Sequence, residues 1–196
     1  MNQGKLSFDA VVLYWSGGGN TERVAKSLHD ELASSGHAAR LEQVTADLSL
    51  DYLEYELILV GAPVYQFLPA EPMVEFLKRQ QREHDYVRLA APERPGHYAA
   101  VFCTYAGPHT GIREAVPALK YMGQFLEHAG IPVVAEWPVV GCFHGESRRE
   151  ANTLGRLGDI GERPNEADLK DVRGRLSGLL RRLEPKFRAA RQGEKR

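Results

Sequence analysis

Cysteine is scarce in this chain, with Cys103 and Cys142 the two among 196 residues. Two cysteines cannot build a disulfide framework. No Cys-x-x-Cys pair offers zinc or iron–sulfur ligation, so any cofactor has to be held by other groups. Long apolar runs are missing too. The longest, Leu57 to Tyr65, falls far short of the roughly 18 residues that cross a bilayer, which excludes a spanning helix. The N-terminus has one lysine and a short apolar stretch, Ala10 to Trp15, preceded by Asp9. That is too little for a signal peptide, and a cytoplasmic location is expected. Low hydrophobicity is absent as well: 43% of residues are hydrophobic and 26% charged, outside the disordered regime. The length suits one domain with a real core.

The chain also lacks a large net charge, at −1, but this balance hides an asymmetry. From Val172 onward there are nine Lys or Arg and two Glu, leaving an excess of eight acidic residues in 1–171. An acidic body repels nucleic-acid phosphate, and no nucleic-acid motif accompanies the basic end. The expectation is a single domain over residues 1–185 and a basic, frayed tail over 186–196. A docking role of the tail toward an acidic partner is the alternative.

Five short strand-like runs alternate with helical spacing: Phe8 to Trp15, Ala38 to Val44, Tyr55 to Gly61, Tyr98 to Thr104 and Ile131 to Val140. Three are nearly continuous in apolar residues, as strands buried on both faces should be. Val24, Leu28 and Leu32 share one face of a helix closed by Gly36, and Leu119, Met122 and Leu126 line another closed by Gly130. A third runs from Glu71 to about Arg82, with Pro72 in its first turn. The last begins at Asn165, which caps it with Asp168, and carries a stripe of Leu169, Val172, Leu176, Leu179, Leu180 and Leu183. This alternation predicts an α/β fold of three layers, a mostly parallel five-stranded sheet covered on both faces. The polar stretch from Gly145 to Pro164 is longer than such connections need, and is either functional or mobile.

In open parallel sheets ligands bind outside the carboxyl ends of the strands, which singles out three loops. The first reads Ser16-Gly17-Gly18-Gly19-Asn20-Thr21 and leads into a helix. Three glycines leave backbone N–H groups free to face an anion, and the helix N-terminus adds partial positive charge. Ser16, Asn20 and Thr21 add neutral donors, and the loop has no Lys or Arg. It lacks both the Gly-Lys-Ser/Thr ending of a nucleoside-triphosphate loop and the Gly-x-Gly-x-x-Gly spacing of a dinucleotide fold. The second loop holds Pro63, Val64, Tyr65 and Gln66, and the third Thr104, Tyr105, Ala106 and Gly107. An aromatic in each, Tyr65 and Tyr105, offers either ordinary packing or a platform for a planar ligand.

The segments Val11 to Thr21 and Leu57 to Tyr65 resemble the two flavin loops of the flavodoxin-like FMN-binding family, which takes in flavodoxins and flavodoxin-fold NAD(P)H:quinone and FMN reductases. The resemblance covers about Phe8 to Val140. It implies a doubly wound sheet of order 2-1-3-4-5 with non-covalent FMN at its carboxyl edge. Ser16, Asn20, Thr21 and the amides of Gly17, Gly18 and Gly19 would hold the phosphate. Tyr65 and Tyr105 would flank the isoalloxazine, with Pro63, Val64 and Gln66 around Tyr65, and backbone from Thr104 to Gly107 would meet the pyrimidine edge. Two departures stand out. Gly18 replaces a threonine common in flavodoxins, removing one hydroxyl donor to the phosphate. Gln66-Phe67-Leu68-Pro69 replaces the glycine that lets a peptide flip toward the flavin in one-electron flavodoxins, which brings this loop nearer to the reductases.

The implied function is a redox protein that transfers electrons through bound FMN. An NAD(P)H-dependent quinone or flavin reductase is the alternative, and a flavin-free binding or adaptor module the third reading. No side chain need act as acid or base. Partners would be a redox protein, or NAD(P)H with a small acceptor, and a homo-oligomer as many such reductases form. The stretch from Gly145 to Pro164 would then cover the flavin or build a subunit contact. A Cys-x5-Arg match from Cys142 to Arg148 has poor specificity as a phosphatase loop, and both cysteines read as buried hydrophobes. His109 and His144 fall in neighbouring strand-end loops from which they could approach each other or the flavin, but without a third metal ligand solvent-exposed or hydrogen-bonding histidines are the default. Strand three ends without an aspartate, which excludes a phosphorylated receiver of the same fold.

Overall fold

The computed structural model describes residues 6–84, 86, 93–145 and 149–193. Arg148 of the Cys-x5-Arg match lies outside them. Along the chain run β1 (Asp9–Tyr14), α1 (Asn20–Ser34), β2 (Ala38–Gln43), β3 (Leu57–Tyr65), β4 (Leu68–Pro69) and α2 (Glu71–His84). Then follow β5 (Tyr98–Tyr105), α3 (Val116–His128), β6 (Val133–Val140), α4 (Ala151–Leu154) and α5 (Glu166–Gly193). The main sheet is parallel with order β2-β1-β3-β5-β6, the predicted 2-1-3-4-5 once the two-residue β4 is set aside.

Alternation along the strands sorts the core into two layers. Val11 and Leu13 of β1, Ile58 and Val60 of β3, and Val101 and Cys103 of β5 pack with Met73, Phe76 and Leu77 of α2 and Leu119, Met122 and Leu126 of α3. Their strand neighbours Val12, Leu59 and Phe102 pack on the other face with Val24, Leu28 and Leu32 of α1 and Leu176, Leu179 and Leu183 of α5. The capping box at α5 forms as its sequence predicts: Asn165 Oδ1 accepts from the Ala167 and Asp168 N–H groups, and the Asp168 carboxylate accepts from Asn165 N–H at 2.8 Å.

Two expectations change. β3 does not stop at Gly61 but runs on to Tyr65, so Pro63, Val64 and Tyr65 are strand residues, and a tight hairpin to β4 follows. The last rung to β1 is Trp15 N–H to the Gly61 carbonyl at 3.0 Å. Beyond it β1 has left the sheet, so the N–H that Pro63 lacks costs no ladder bond. The boundary expected at 185, before a frayed tail, falls inside a helix. α5 continues through Pro185 to Gly193, with Phe187 only 1% exposed. The Phe187 ring lies 4.6 Å from that of Phe8, and Arg191 Nε donates to Glu56 Oε1 at 3.0 Å. One buried aromatic and one anchored guanidinium thus order most of the segment expected to fray.

A candidate cofactor cleft at the strand ends

The carboxyl ends of β1, β3, β5 and β6 open into one cleft of about 430 Å³, within the usual range of small-molecule sites, about 300–1,000 Å³. Ser16, Gly17, Gly18, Asn20, Thr21, Pro63, Val64, Tyr65, Thr104, Tyr105 and Ala106 all line it. Gly19, Gln66 and Gly107 do not line it and serve the backbone instead. Gly19 precedes α1 at φ 89°, Gln66 turns the β3–β4 hairpin at φ 49°, and Gly107 at φ 52° leaves no room for a Cβ beside the Gly111 carbonyl.

One end of the cleft is the start of α1. Its first intrahelical bond is Arg23 N–H to the Gly19 carbonyl at 3.0 Å, so the amides before Arg23 have no acceptor within the helix. Ser16 Oγ accepts from Gly19 N–H at 3.1 Å, fixing the turn while its own hydroxyl proton stays free to donate. The other two polar side chains are committed elsewhere. Thr21 is 1% exposed, and its hydroxyl pairs with that of Thr104 at 2.7 Å, stitching α1 to β5. Asn20 Nδ2 donates to the Cys142 carbonyl at 2.8 Å. Neither is a free donor, so what this loop offers an anion is mainly backbone.

The other end is aromatic. Tyr65 stands half-exposed, edge-on to Trp15 with ring centroids 6.2 Å apart, and its hydroxyl closes over Gly17, where a Cβ would approach within 2.9 Å. Tyr105 is buried at 8% exposure. Burial pushes both phenols above their ordinary range, so both are neutral near pH 7.

A fourth wall is made by Gly141, Cys142, Phe143, His144 and Gly145, just past β6. The sequence pointed to His144 and to the stretch from Gly145 as able to reach the flavin, but not to Gly141, Cys142 and Phe143 as lining it. The strand-end rule that singles out the other loops applies equally here. Cys142 is not the buried hydrophobe expected; it is partly exposed in the cleft, its Sγ 3.7 Å from His144 Nε2. Cys103 is fully buried, and burial pushes its thiol up, so it stays protonated. His109 does not line the cleft and does not meet His144 there; its backbone N–H donates to Glu114 Oε1 at 2.8 Å. The long stretch after Gly145 is anchored: Asn152 bonds both Phe143 backbone groups, at 2.7 and 2.9 Å, and its carbonyl accepts from Ile160 N–H at 2.8 Å. Among its described residues only Gly145 lines the cleft. No group of three or more His, Cys, Asp or Glu able to hold a metal occurs among the described residues.

The model of the flavodoxin domain family matches residues 11–128, more than half of the chain. The chain belongs to that family. In structure it is similar to a short-chain flavodoxin associated with a non-canonical PDU bacterial microcompartment, at TM-score 0.60 and 16% identity, covering 88% of this chain and 97% of that one. It is similar to oxidised flavodoxin 1 from Bacillus cereus, at TM-score 0.61 and 15% identity with coverage of 88% and 97%. A WrbA-like flavodoxin from Agrobacterium tumefaciens matches at TM-score 0.56 and 16% identity, covering 94% and 98%. At such identities the likeness is one of fold. No curated protein matches the sequence. No helix among the described residues is long and apolar enough to cross a membrane.

Proposed function

We propose that the protein is an FMN-dependent redox protein that passes electrons through a non-covalently bound flavin. The observation that carries this reading is the convergence of a helix N-terminus rich in unpaired amides and two neutral tyrosines on one cleft. The residues fit the group. A phosphate monoester needs several donors and little bulk, as at Ser16, Gly17 and Gly18, while a planar ring system needs aromatic walls, as at Tyr65 and Tyr105. FMN supplies the redox chemistry when bound, and the chain supplies binding, orientation and electrostatics. The Ser16 hydroxyl and the amides around Gly17, Gly18 and Thr21 would hold the phosphate. Tyr65 and Tyr105 would hold and orient the ring and limit its contact with water, and backbone from Thr104 to Ala106 would meet its polar edge.

Within that class, the hairpin after β3 favours two-electron chemistry, as in an NAD(P)H-dependent quinone or flavin reductase. Gln66 and Phe67 sit at φ 49° and 71°, between the paired residues Tyr65 and Leu68. Positive φ at both central residues is the primed two-residue turn. Flipping its central peptide would move Gln66 into a conformation that only glycine holds readily. A redox-linked flip is therefore costly in this chain.

The decisive experiment is an absorbance spectrum after incubation with FMN and desalting, then stepwise anaerobic reduction. A retained flavin band that bleaches in one step supports the two-electron reading. An added long-wavelength band supports a one-electron carrier facing a partner protein. Protein that retains no flavin overturns the proposal in favour of a flavin-free binding module.

A further inference from the structure

We infer that His144 is the side chain that reads the phosphate at this site, standing in for the threonine that the family resemblance places at position 18; the inference rests on the FMN reading above. The glycine loop contains no Lys or Arg, and among the described residues lining the cleft His144 is the one basic side chain. Its imidazole lies against Gly18: a Cβ built there would be 2.2 Å from Cδ2, 2.9 Å from Cγ and 3.0 Å from Nε2. The ring fills the space that any side chain at 18 would need.

This explains a glycine that the backbone does not. Gly19, next along, sits at φ 89°, where glycine is favoured and nothing crowds its Cβ position. Gly18 has no positive φ, so an L-residue fits its conformation, and what a side chain there would meet is the histidine ring. Missing threonine and present imidazole are two halves of one exchange. The exchange replaces a hydroxyl by a group that donates through a ring N–H when neutral and carries positive charge when protonated. The loop bearing it is held in register with the cradle by Asn20 Nδ2 on the Cys142 carbonyl at 2.8 Å, and the Cys142 thiol lies 3.7 Å from Nε2. Charge on the phosphate is met from one side by amide dipoles and from the other by a side chain that riboflavin, lacking phosphate, gives nothing to bind.

The test is titration of the flavin-freed full chain with FMN and with riboflavin, followed by flavin fluorescence, for the wild type, His144→Ala and the double variant Gly18→Thr/His144→Ala. His144 is exposed, so its truncation leaves the core intact, which a far-UV spectrum verifies. Loss of a charge-assisted bond predicts that H144A weakens FMN binding roughly ten- to a hundredfold while riboflavin binding is unchanged. The double variant should recover much of the loss, because threonine then has room for its hydroxyl. An H144A variant with wild-type FMN affinity overturns the inference and leaves the FMN reading standing, and so does an equal loss for both ligands. A double variant no tighter than H144A overturns the pairing of positions 18 and 144. Wild-type protein that binds neither flavin overturns the site reading itself.

Discussion

The loops after β1 and β6 face each other across the cleft and are built from opposite materials. The β1 loop works through backbone: three glycines, a helix start, and side chains that mostly tie α1 to β5 and to the opposite wall. The β6 loop works through side chains, with Cys142, Phe143 and His144 all lining the site. A backbone-built site must be spelled in glycine and small polar residues, since few others permit the geometry, so it shows in the sequence as a motif. A side-chain-built wall obeys no such spelling. Its residues depend on what they face, and that is a property of the fold.

Both loops hang from strand ends whose spacing is set by close packing, and the largest expected effect comes from disturbing it. Gly61, midway along β3, lets the Phe102 ring lie so close that a Cβ would fall 2.1 Å from two ring carbons. Phe102 is fully buried and cannot swing away. Gly61→Ala should therefore cost about 2–3 kcal/mol in denaturant unfolding, in the overpacking range, and weaken FMN retention as the strand ends part. An unchanged unfolding midpoint would show that the cleft does not depend on this approach.

The strut between the loops comes next. Asn20→Ala strands the Cys142 carbonyl and should cost about 1–2 kcal/mol. If the two walls act together, it should also weaken FMN more than Ser16→Ala, which touches the β1 loop alone. Equal effects on FMN affinity would mean that the β6 wall holds its place unaided.

How far the sequence could be read follows the same division. Strand positions, the glycine turn into α1 and the Asn165 cap were legible because each rests on local chemistry: apolar runs, residues that permit tight turns, a side chain three residues from its partner. The strand order came from the family resemblance and not from the runs themselves. The extension of β3 to Tyr65 was not, because Pro63 reads as a strand end unless β1 is known to have left the sheet by then. The order of α5 beyond Pro185 was hidden for a like reason. It rests on Phe187 meeting Phe8 and Tyr98, a contact across nearly the whole chain. Asn20 was legible as a polar residue in the right loop, but its commitment to Cys142 spans 122 residues.

The hairpin after β3 gives a smaller effect of opposite sign. Gln66 is exposed and held at φ 49°. Gln66→Gly removes the left-handed penalty and should stabilise the protein by about 1 kcal/mol. The same change lowers the barrier to a peptide flip beside the cleft. If that barrier sets the chemistry, Q66G should add long-wavelength absorbance during anaerobic reduction that the wild type lacks. A more stable variant with an unchanged titration would separate strain from redox behaviour.

The smallest effect lies at the far anchor of the β6 wall and appears as a pH dependence. Burial alone would raise the Asp168 carboxyl, but bonds from the Arg163 guanidinium and the Asn165 N–H outweigh it and hold it below the ordinary range. A carboxyl lowered in the folded state contributes stability that is complete above its unfolded value, about 4, and is lost as pH falls through the folded value. Asp168→Asn should thus flatten the acid limb of the stability curve below about pH 4. At neutral pH it should cost only about 0.5 kcal/mol, since asparagine keeps an acceptor for the cap and the ion pair is partly exposed. The Arg163 carbonyl takes the Cys142 N–H at 2.7 Å. If that clamp positions His144 from behind, the preference for FMN over riboflavin should fall together with stability as wild-type protein is acidified below pH 4, and D168N should uncouple the two.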